Sequence, residues 1–310
     1  MVRDLLCLVA AALSVAAAQA AAAQAACPGN ADALSTERVL VVDPATYPRV
    51  GRKHFPQTLP LKPKEVVLTF DDGPEPGSTS RVLDALKREC VRASFFVLGR
   101  SATAHPALVR RALQEGHTVA HHSFAHPLLD HMPVDAAEAE INHGFAAVDV
   151  ALYGKAEHSP ATPFFRFPGF ASNRPLLERL ERRRIAVFGA DLWASDWNPM
   201  TPAQQLALVL ERLDSTRGGI LLFHDTKVQT AAMIPEFLRA LKRRGYTIVH
   251  VAPPTPLNKR PSPLKKSFTH CGQSQVDAWR GGSTRNRRKS GPAMISWMSR
   301  LICSSSLEGA

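Results

Sequence analysis

Residues 71–74 read Asp-Asp-Gly-Pro, directly after the apolar run Val66–Phe70. Two adjacent carboxylates at a strand end repel each other unless a cation offsets their charge. The same four residues also make an ordinary solvated turn. Further along, His122 and His126 stand four residues apart in His-Ser-Phe-Ala-His-Pro, a spacing that lets two imidazoles reach one metal ion. The residues between them supply no carboxylate, so a third ligand comes from elsewhere, and Asp71 and Asp72 are the nearest candidates. Two histidines and one carboxylate suit zinc and leave positions open for water and substrate. The second aspartate is then available to take a proton from an activated water. Arg166 in Arg-Phe-Pro-Gly169, then Asp191, Asp196-Trp197 and Leu222-Phe-His224-Asp225 complete the chemically competent set.

These residues need elements that bring them together. Short apolar runs at Val66–Phe70, Ala93–Leu98, His117–His121, Phe164–Phe167, Ile185–Ala190, Ile220–His224 and Thr247–Val251 read as strands. Helical patterns over Ser80–Glu89, Pro106–Glu115, Ala136–Leu152, Arg174–Arg183, Pro202–Leu213 and Ala231–Arg244 separate them. Seven strands alternating with six helices indicate an α/β fold with a parallel sheet wound by right-handed crossovers. An open doubly wound sheet and a closed barrel both satisfy that pattern. No Gly-x-Gly-x-x-Gly follows any strand, which disfavours a nucleotide-binding Rossmann domain. A barrel carries its chemistry at the carboxyl ends of its strands, and five of the strand candidates end in polar groups.

The ordered series Thr-Phe-Asp-Asp-Gly-Pro, His-Ser-x-x-His-Pro, Arg-x-Pro-Gly, Asp-Trp and Leu-x-His-Asp resembles the five motifs of the NodB-homology polysaccharide deacetylases, carbohydrate esterase family 4. The resemblance spans roughly residues 64–251. It implies a distorted (β/α)7 barrel and metal-dependent removal of acetyl groups from acetylated sugars. It further implies Asp71 as catalytic base, Asp72, His122 and His126 as ligands of one divalent metal ion, expected to be zinc, and His224 as general acid. Asp196 would orient and tune His224, and Arg166 would pair with Asp71. A backbone N–H near Gly169 would meet the oxyanion, and Trp197 and Leu222 would enclose the acetyl methyl. Gly169-Phe170 departs from the tyrosine or other large residue common there. His121 stands where asparagine is common; Asp71, His121 and His126 would also form a triad, but the family register favours His122.

The ends of the chain carry other signals. Arg3, the apolar stretch Leu5–Ala18 and two Ala-Gln-Ala sites read as a secretory signal over residues 1–25, so export to the periplasm or medium is expected. The expected divisions are this signal, an N-terminal arm at 26–62, a deacetylase domain at 63–252 and a tail at 253–310. An oxidising compartment would accommodate a Cys27–Cys90 bridge pinning the arm to the end of the first helix. The net charge of +11 resembles a nucleic-acid signature until it is located. Residues 253–310 hold ten Lys/Arg against Asp277 and Glu308, so +8 of it belongs to the tail. The tail is expected to be disordered, with weak contact to anionic envelope surfaces as one use. Nucleic acid is not an expected partner, nor is a transmembrane segment expected in the mature chain.

The expected partner is an acetylated carbohydrate. The leading expectation is N-deacetylation of amino-sugar polymers or oligomers of chitooligosaccharide or peptidoglycan type. O-deacetylation of xylan or another polysaccharide, and a carbohydrate-binding protein retaining its metal site, are the alternatives. Few aromatic residues lie outside the motifs, so no sugar-stacking platform is expected.

Overall fold

Runs of β-branched and aromatic residues form strands covered on both faces, as a parallel sheet wrapped by helices requires. The computed structural model describes residues 27–254. In chain order these comprise β1 (Thr36–Val41), β2 (Arg49–Val50), β3 (Glu65–Asp71), α1 (Ser78–Arg88), β4 (Ser94–Val97), α2 (Gly99–Ala104) and α3 (Pro106–Gln114). They continue with β5 (Thr118–His121), α4 (Val134–Tyr153), β6 (Phe164–Phe165), α5 (Arg174–Arg182), β7 (Ala186–Phe188) and β8 (Leu192–Trp193). The remainder is α6 (Pro202–Thr216), β9 (Gly219–His224), α7 (Val228–Arg243) and β10 (Thr247–Ala252). Two helix starts carry side-chain caps. Thr201 and Gln204 form a reciprocal capping box ahead of Pro202, and Asn173 accepts from the Leu176 amide.

Every pairing is parallel. From β3 the ladder runs one way through β4, β5 and β6 to β7, and the other way through β9 to β8. These seven strands are the staves of a barrel. Among the described residues no ladder joins β7 to β8, and β2 pairs with the free edge of β7. The barrel is therefore open on that side.

Two staves differ from the sequence pattern. The run Thr247–Val251 becomes β10, which pairs with only the first two residues of β3 and otherwise with β1. The seventh stave is instead β8, two residues long, too short to show any periodicity. The N-terminal arm is not merely a connector, since its β1 adds a strand to the sheet and Cys27 is disulfide-bonded to Cys90 as expected. The signal at 1–25 and the tail beyond Pro254 lie outside the described residues. No described helix is long and apolar enough to cross a membrane.

Alternation along β3 explains how the site is aimed. Val66, Leu68 and Phe70 pack beneath the helices with Leu86, Phe223 and Phe237. Val67, Thr69 and Asp71 alternate with them and face the barrel interior, where Val67 joins Phe96, Phe164, Phe188 and Ile220. The same period that buries the outer face directs Asp71 inward.

Candidate active site

Asp71 is the last residue of β3 and is 2% exposed. A lone buried carboxylate would cost several kcal/mol (about 3–5 in paired cases when one partner is lost), and Arg166 answers it. Arg166 is itself fully buried, with Nη1 donating to Asp71 Oδ1 at 2.7 Å and to Thr69 Oγ1 at 2.9 Å. Its other donors reach the carbonyls of Phe188 and Gly189, and its guanidinium lies 4.2 Å from the centre of the Phe96 ring. The cation is thus fixed from several directions and cannot follow Asp71 elsewhere. Burial pushes the Asp71 carboxyl above the ordinary carboxylate range, against the opposing charges of Arg166 and His224. A raised value is what a proton acceptor requires.

Asp72 is in a different state. Its φ of 76° is left-handed, a conformation that Asp tolerates better than most residues. This turn carries its carboxylate away from Arg166. Its Oδ1 is buried without a hydrogen-bond donor, 3.5 Å from His122 Nε2 and 3.4 Å from His126 Nε2. Gly73 permits the turn because Asp225 lies directly behind it. A Cβ on Gly73 would sit 2.1 Å from Asp225 Oδ2, which accepts from the Thr79 hydroxyl. Burial raises the Asp225 carboxyl to about 7 despite that bond.

The two imidazoles come from the loop after β5. Ser123 and His126 both have positive φ, and the Ser123 hydroxyl accepts from the His126 amide at 3.1 Å. Glu140 on α4 accepts from the amides of Phe124 and Ala125, holding the loop in place. His122 Nδ1 is 2.8 Å from the Arg166 carbonyl. That acceptor fixes the proton on Nδ1 and leaves the Nε2 lone pair facing Asp72. Burial holds the His122 imidazole down at about 3, overriding the charge of Asp72. Ligand atoms of Asp72, His122 and His126 all lie within 4.8 Å of one another. An orphaned carboxylate oxygen facing two imidazole nitrogens fits a divalent cation. His121, the rival for the triad, packs edge-on against Phe145 at 4.7 Å and lies outside the cluster.

His224, at the end of β9, receives the other support. Its Nδ1 lies 2.7 Å from Asp196 Oδ1, and Asp196 Oδ2 accepts from the His224 amide and from the Thr230 hydroxyl. Burial by itself would lower the imidazole. The hydrogen bond and charge of Asp196, with Asp71 and Asp72, outweigh it and push His224 up to about 9. Its Nε2 faces Asp72 Oδ2 at 3.9 Å. Asp191, placed with Asp196 by sequence, sits at the opposite end of the strands. It accepts from the amides of Arg52 and Ile220 and from Thr58, and serves the arm rather than the site.

A cavity of about 480 Å³ joins Asp71, Asp72, His122, His126 and His224 with Gly169, Trp197 and Leu222. Apart from Asp191 and Asp225, every site residue expected from the sequence lines it or, like Arg166 and Asp196, directly holds one that does. The sequence did not point to His54, Trp193 and Lys227, which also line it, beside the Phe170 noted as a departure from the family pattern. Phe170, His54, Trp193 and Trp197 form a row of aromatic rings that the sequence reading did not anticipate. Trp193 lies two residues past Asp191 on the short β8, and His54 is delivered by tertiary docking of the arm. Neither carried a local signal.

The chain resembles several known proteins. The polysaccharide deacetylase family model matches residues 58–186. A chitooligosaccharide deacetylase of Rhizobium leguminosarum bv. trifolii is 46% identical over 199 residues, 60% of this chain and 89% of the relative. A peptidoglycan-N-acetylglucosamine deacetylase of Listeria monocytogenes is 35% identical over 188 residues, 61% of this chain. The chain spans only 38% of that protein's length. The solved peptidoglycan deacetylase of Bdellovibrio bacteriovorus superposes with a TM-score of 0.62 at 32% identity, covering 72% of this chain and 63% of that one. The parallel α/β barrel, the five motifs and these relatives together make the chain a member of the NodB-homology polysaccharide deacetylase family, carbohydrate esterase family 4.

Proposed function

We propose that this protein hydrolyses the acetamide of N-acetylated amino-sugar polymers or oligomers, of chitooligosaccharide or peptidoglycan type, and releases acetate. The observation that carries this reading is the division between neighbouring aspartates. Asp71 is locked to a buried guanidinium, and Asp72 turns an unsatisfied oxygen toward two imidazoles.

In this reading Asp72, His122 and His126 hold one divalent cation, proposed to be zinc. When bound, it supplies the Lewis acidity that activates water and polarises the acetyl carbonyl. Asp71 takes the proton of the attacking water, its carboxyl aimed by Arg166. The amide of Gly169 is proposed to steady the developing oxyanion. The two amides that follow are spent on the carbonyls of Phe167 and Pro168. Leu222 and Trp197 enclose the acetyl methyl. His224, kept protonated by Asp196, delivers a proton to the departing amine. Residues 63–252 are proposed as the catalytic domain, preceded by an arm and an export signal that directs the protein to the periplasm or medium.

Purified protein incubated with N-acetylglucosamine oligomers and with peptidoglycan, with and without added zinc, tests this by acetate release. Cation-dependent release is expected. Cation-replete protein that released no acetate from these substrates or from acetyl-xylan would overturn the enzyme reading. Release from acetyl-xylan alone would replace amide with ester hydrolysis.

A further inference from the structure

The arm reaches the catalytic pocket with chemistry that acetyl cleavage itself does not require. Residues 51–55 dock against the open side of the barrel. The Arg52 amide donates to Asp191 Oδ1 at 2.8 Å and the Lys53 amide to the Ala190 carbonyl at 3.0 Å. Gly51 is required there, because its φ is +112° and a Cβ would lie 2.5 Å from the Ala190 nitrogen. This docking sets His54 on Phe170, with ring centres 3.8 Å apart and planes inclined by 20°. His54 also lies 6.1 Å from Trp193, which meets Trp197 at 6.0 Å. The resulting aromatic row is far wider than an acetyl methyl.

Two ammonium groups flank the row. Lys53 Nζ is 5.1 Å from the centre of the Trp193 ring. Lys227, half-buried at the start of α7, lines the pocket three residues after His224. Among the described residues no carboxylate lies within ion-pair distance of either lysine. The carboxylates lining the pocket are Asp71, bonded to Arg166, and Asp72, whose Oδ1 is turned toward the two imidazoles. Lys53 is exposed and solvated, whereas Lys227 is partly desolvated and gains most when a ligand supplies the anion.

We propose that the row from Phe170 to Trp197, flanked by Lys53 and Lys227, is a sugar subsite beside the reacting acetamide that takes a carboxylate-bearing amino-sugar residue. The inference rests on the deacetylase reading above and narrows its substrate class. The C–H face of a pyranose ring packs on aromatic faces, and a carboxylate substituent meets the ammonium groups. Lysine, a point charge on a flexible stem, suits an anion whose orientation varies along the polymer. A neutral chitin-type chain fills the row and leaves both lysines unmatched. A peptidoglycan glycan stripped of its stem peptides, whose muramic acid then carries a free lactyl carboxylate, satisfies both features.

Binding and turnover separate the possibilities. Tryptophan fluorescence is titrated with tetra-N-acetylglucosamine and with a peptidoglycan tetrasaccharide free of stem peptide, whose muramic acid lactyl carboxylates are unblocked. The proteins are the wild type, Lys53→Met, Lys227→Met, the double variant and His54→Ala. Wild type is expected to bind the carboxylated chain roughly tenfold more tightly, about the effect of one charge-assisted contact. The double variant should lose most of that preference, added salt should erode it, and His54→Ala should weaken both ligands several-fold. Equal affinity of the wild type for the two ligands, or an undiminished preference in the double variant, would overturn the subsite. Acetate release is followed in parallel. Charge-selective binding with no acetate released would sink the deacetylase reading and leave the subsite standing. Release from both chains without preference would sink the subsite alone.

Discussion

The two ends of β5 hold buried histidines of opposite use. His117, just before the strand, and His122, just after it, are both nearly inaccessible, and burial holds each imidazole down at about 3. At the entry end, His117 Nδ1 accepts from the Ala93 amide, and its ring meets Phe95 edge-on. Its neighbour His250 approaches the Thr118 hydroxyl, and no carboxylate acts on either ring. At the exit end, His122 faces two aspartates and a second imidazole. Burial alone makes a histidine neutral; the groups its free nitrogen faces decide whether neutrality is structural or a readiness to bind a cation.

Substitution should separate the ends. His122→Ala is expected to lose bound cation and acetate release together. The loss should exceed the roughly 10–100-fold that removal of an outer partner of a metal ligand causes. His117→Gln should retain the cation when metal content is assayed, and equal metal loss in both variants would dissolve the contrast. Within the exit end, Asp71→Asn should keep the cation and slow acetate release by about 100- to 10,000-fold, the range for a general base. Asp72→Asn should lose the cation itself. Metal loss in both would make the aspartates equivalent and break the division between them.

A third measurement concerns His224, raised where the other two are lowered. Its imidazole stays doubly protonated below about 9. Asp196→Asn removes the negative charge that helps raise it, so the alkaline limb of kcat/KM should move to lower pH. An unmoved limb would show that another group sets it.

The smallest expected effect is on stability. His117 and His250 have folded values near 3, below the ordinary 6.5. The unfolded chain therefore binds more protons, and stability is lost as pH falls below 6.5 toward 3. At pH 5 the loss is about 2 kcal/mol per histidine. Urea unfolding of His117→Gln and His250→Gln between pH 7 and 5 should show a flatter dependence than wild type. An unchanged slope would mean that neither ring titrates on unfolding.

The site was legible where its residues follow strands in fixed order. Asp71, Asp72, His122, His126, Arg166 and His224 each close or follow an apolar run, so strand periodicity and spacing together locate them. Asp196 was legible through the Trp197 beside it. What stayed hidden depends on contacts remote in sequence. The two residues of β8 take their strand identity from pairing with Leu221 and Leu222 of β9. His54 is separated from the first catalytic motif by a polar, proline-containing stretch, and only the fit of Gly51 against Ala190 brings it to the pocket. Thr247–Val251 reads as another stave, yet β9 and β4 already pair with most of β3, leaving β10 the first two residues.

The pairing of β1 with β10 has a kinetic consequence. Thr36 lies beside Ile248, so the arm completes its ladder only by closing a loop that takes in most of the described residues. Closing so long a loop brings a large entropic cost before its contacts are gained. The catalytic groups, carried by β3, β5 and β9, do not wait on that step, whereas the wall bearing His54 belongs to the segment that follows β1. Cation binding should therefore recover earlier than tryptophan quenching by oligosaccharide in a refolding time course. The chain would acquire the means to cleave before it acquires its full means to choose.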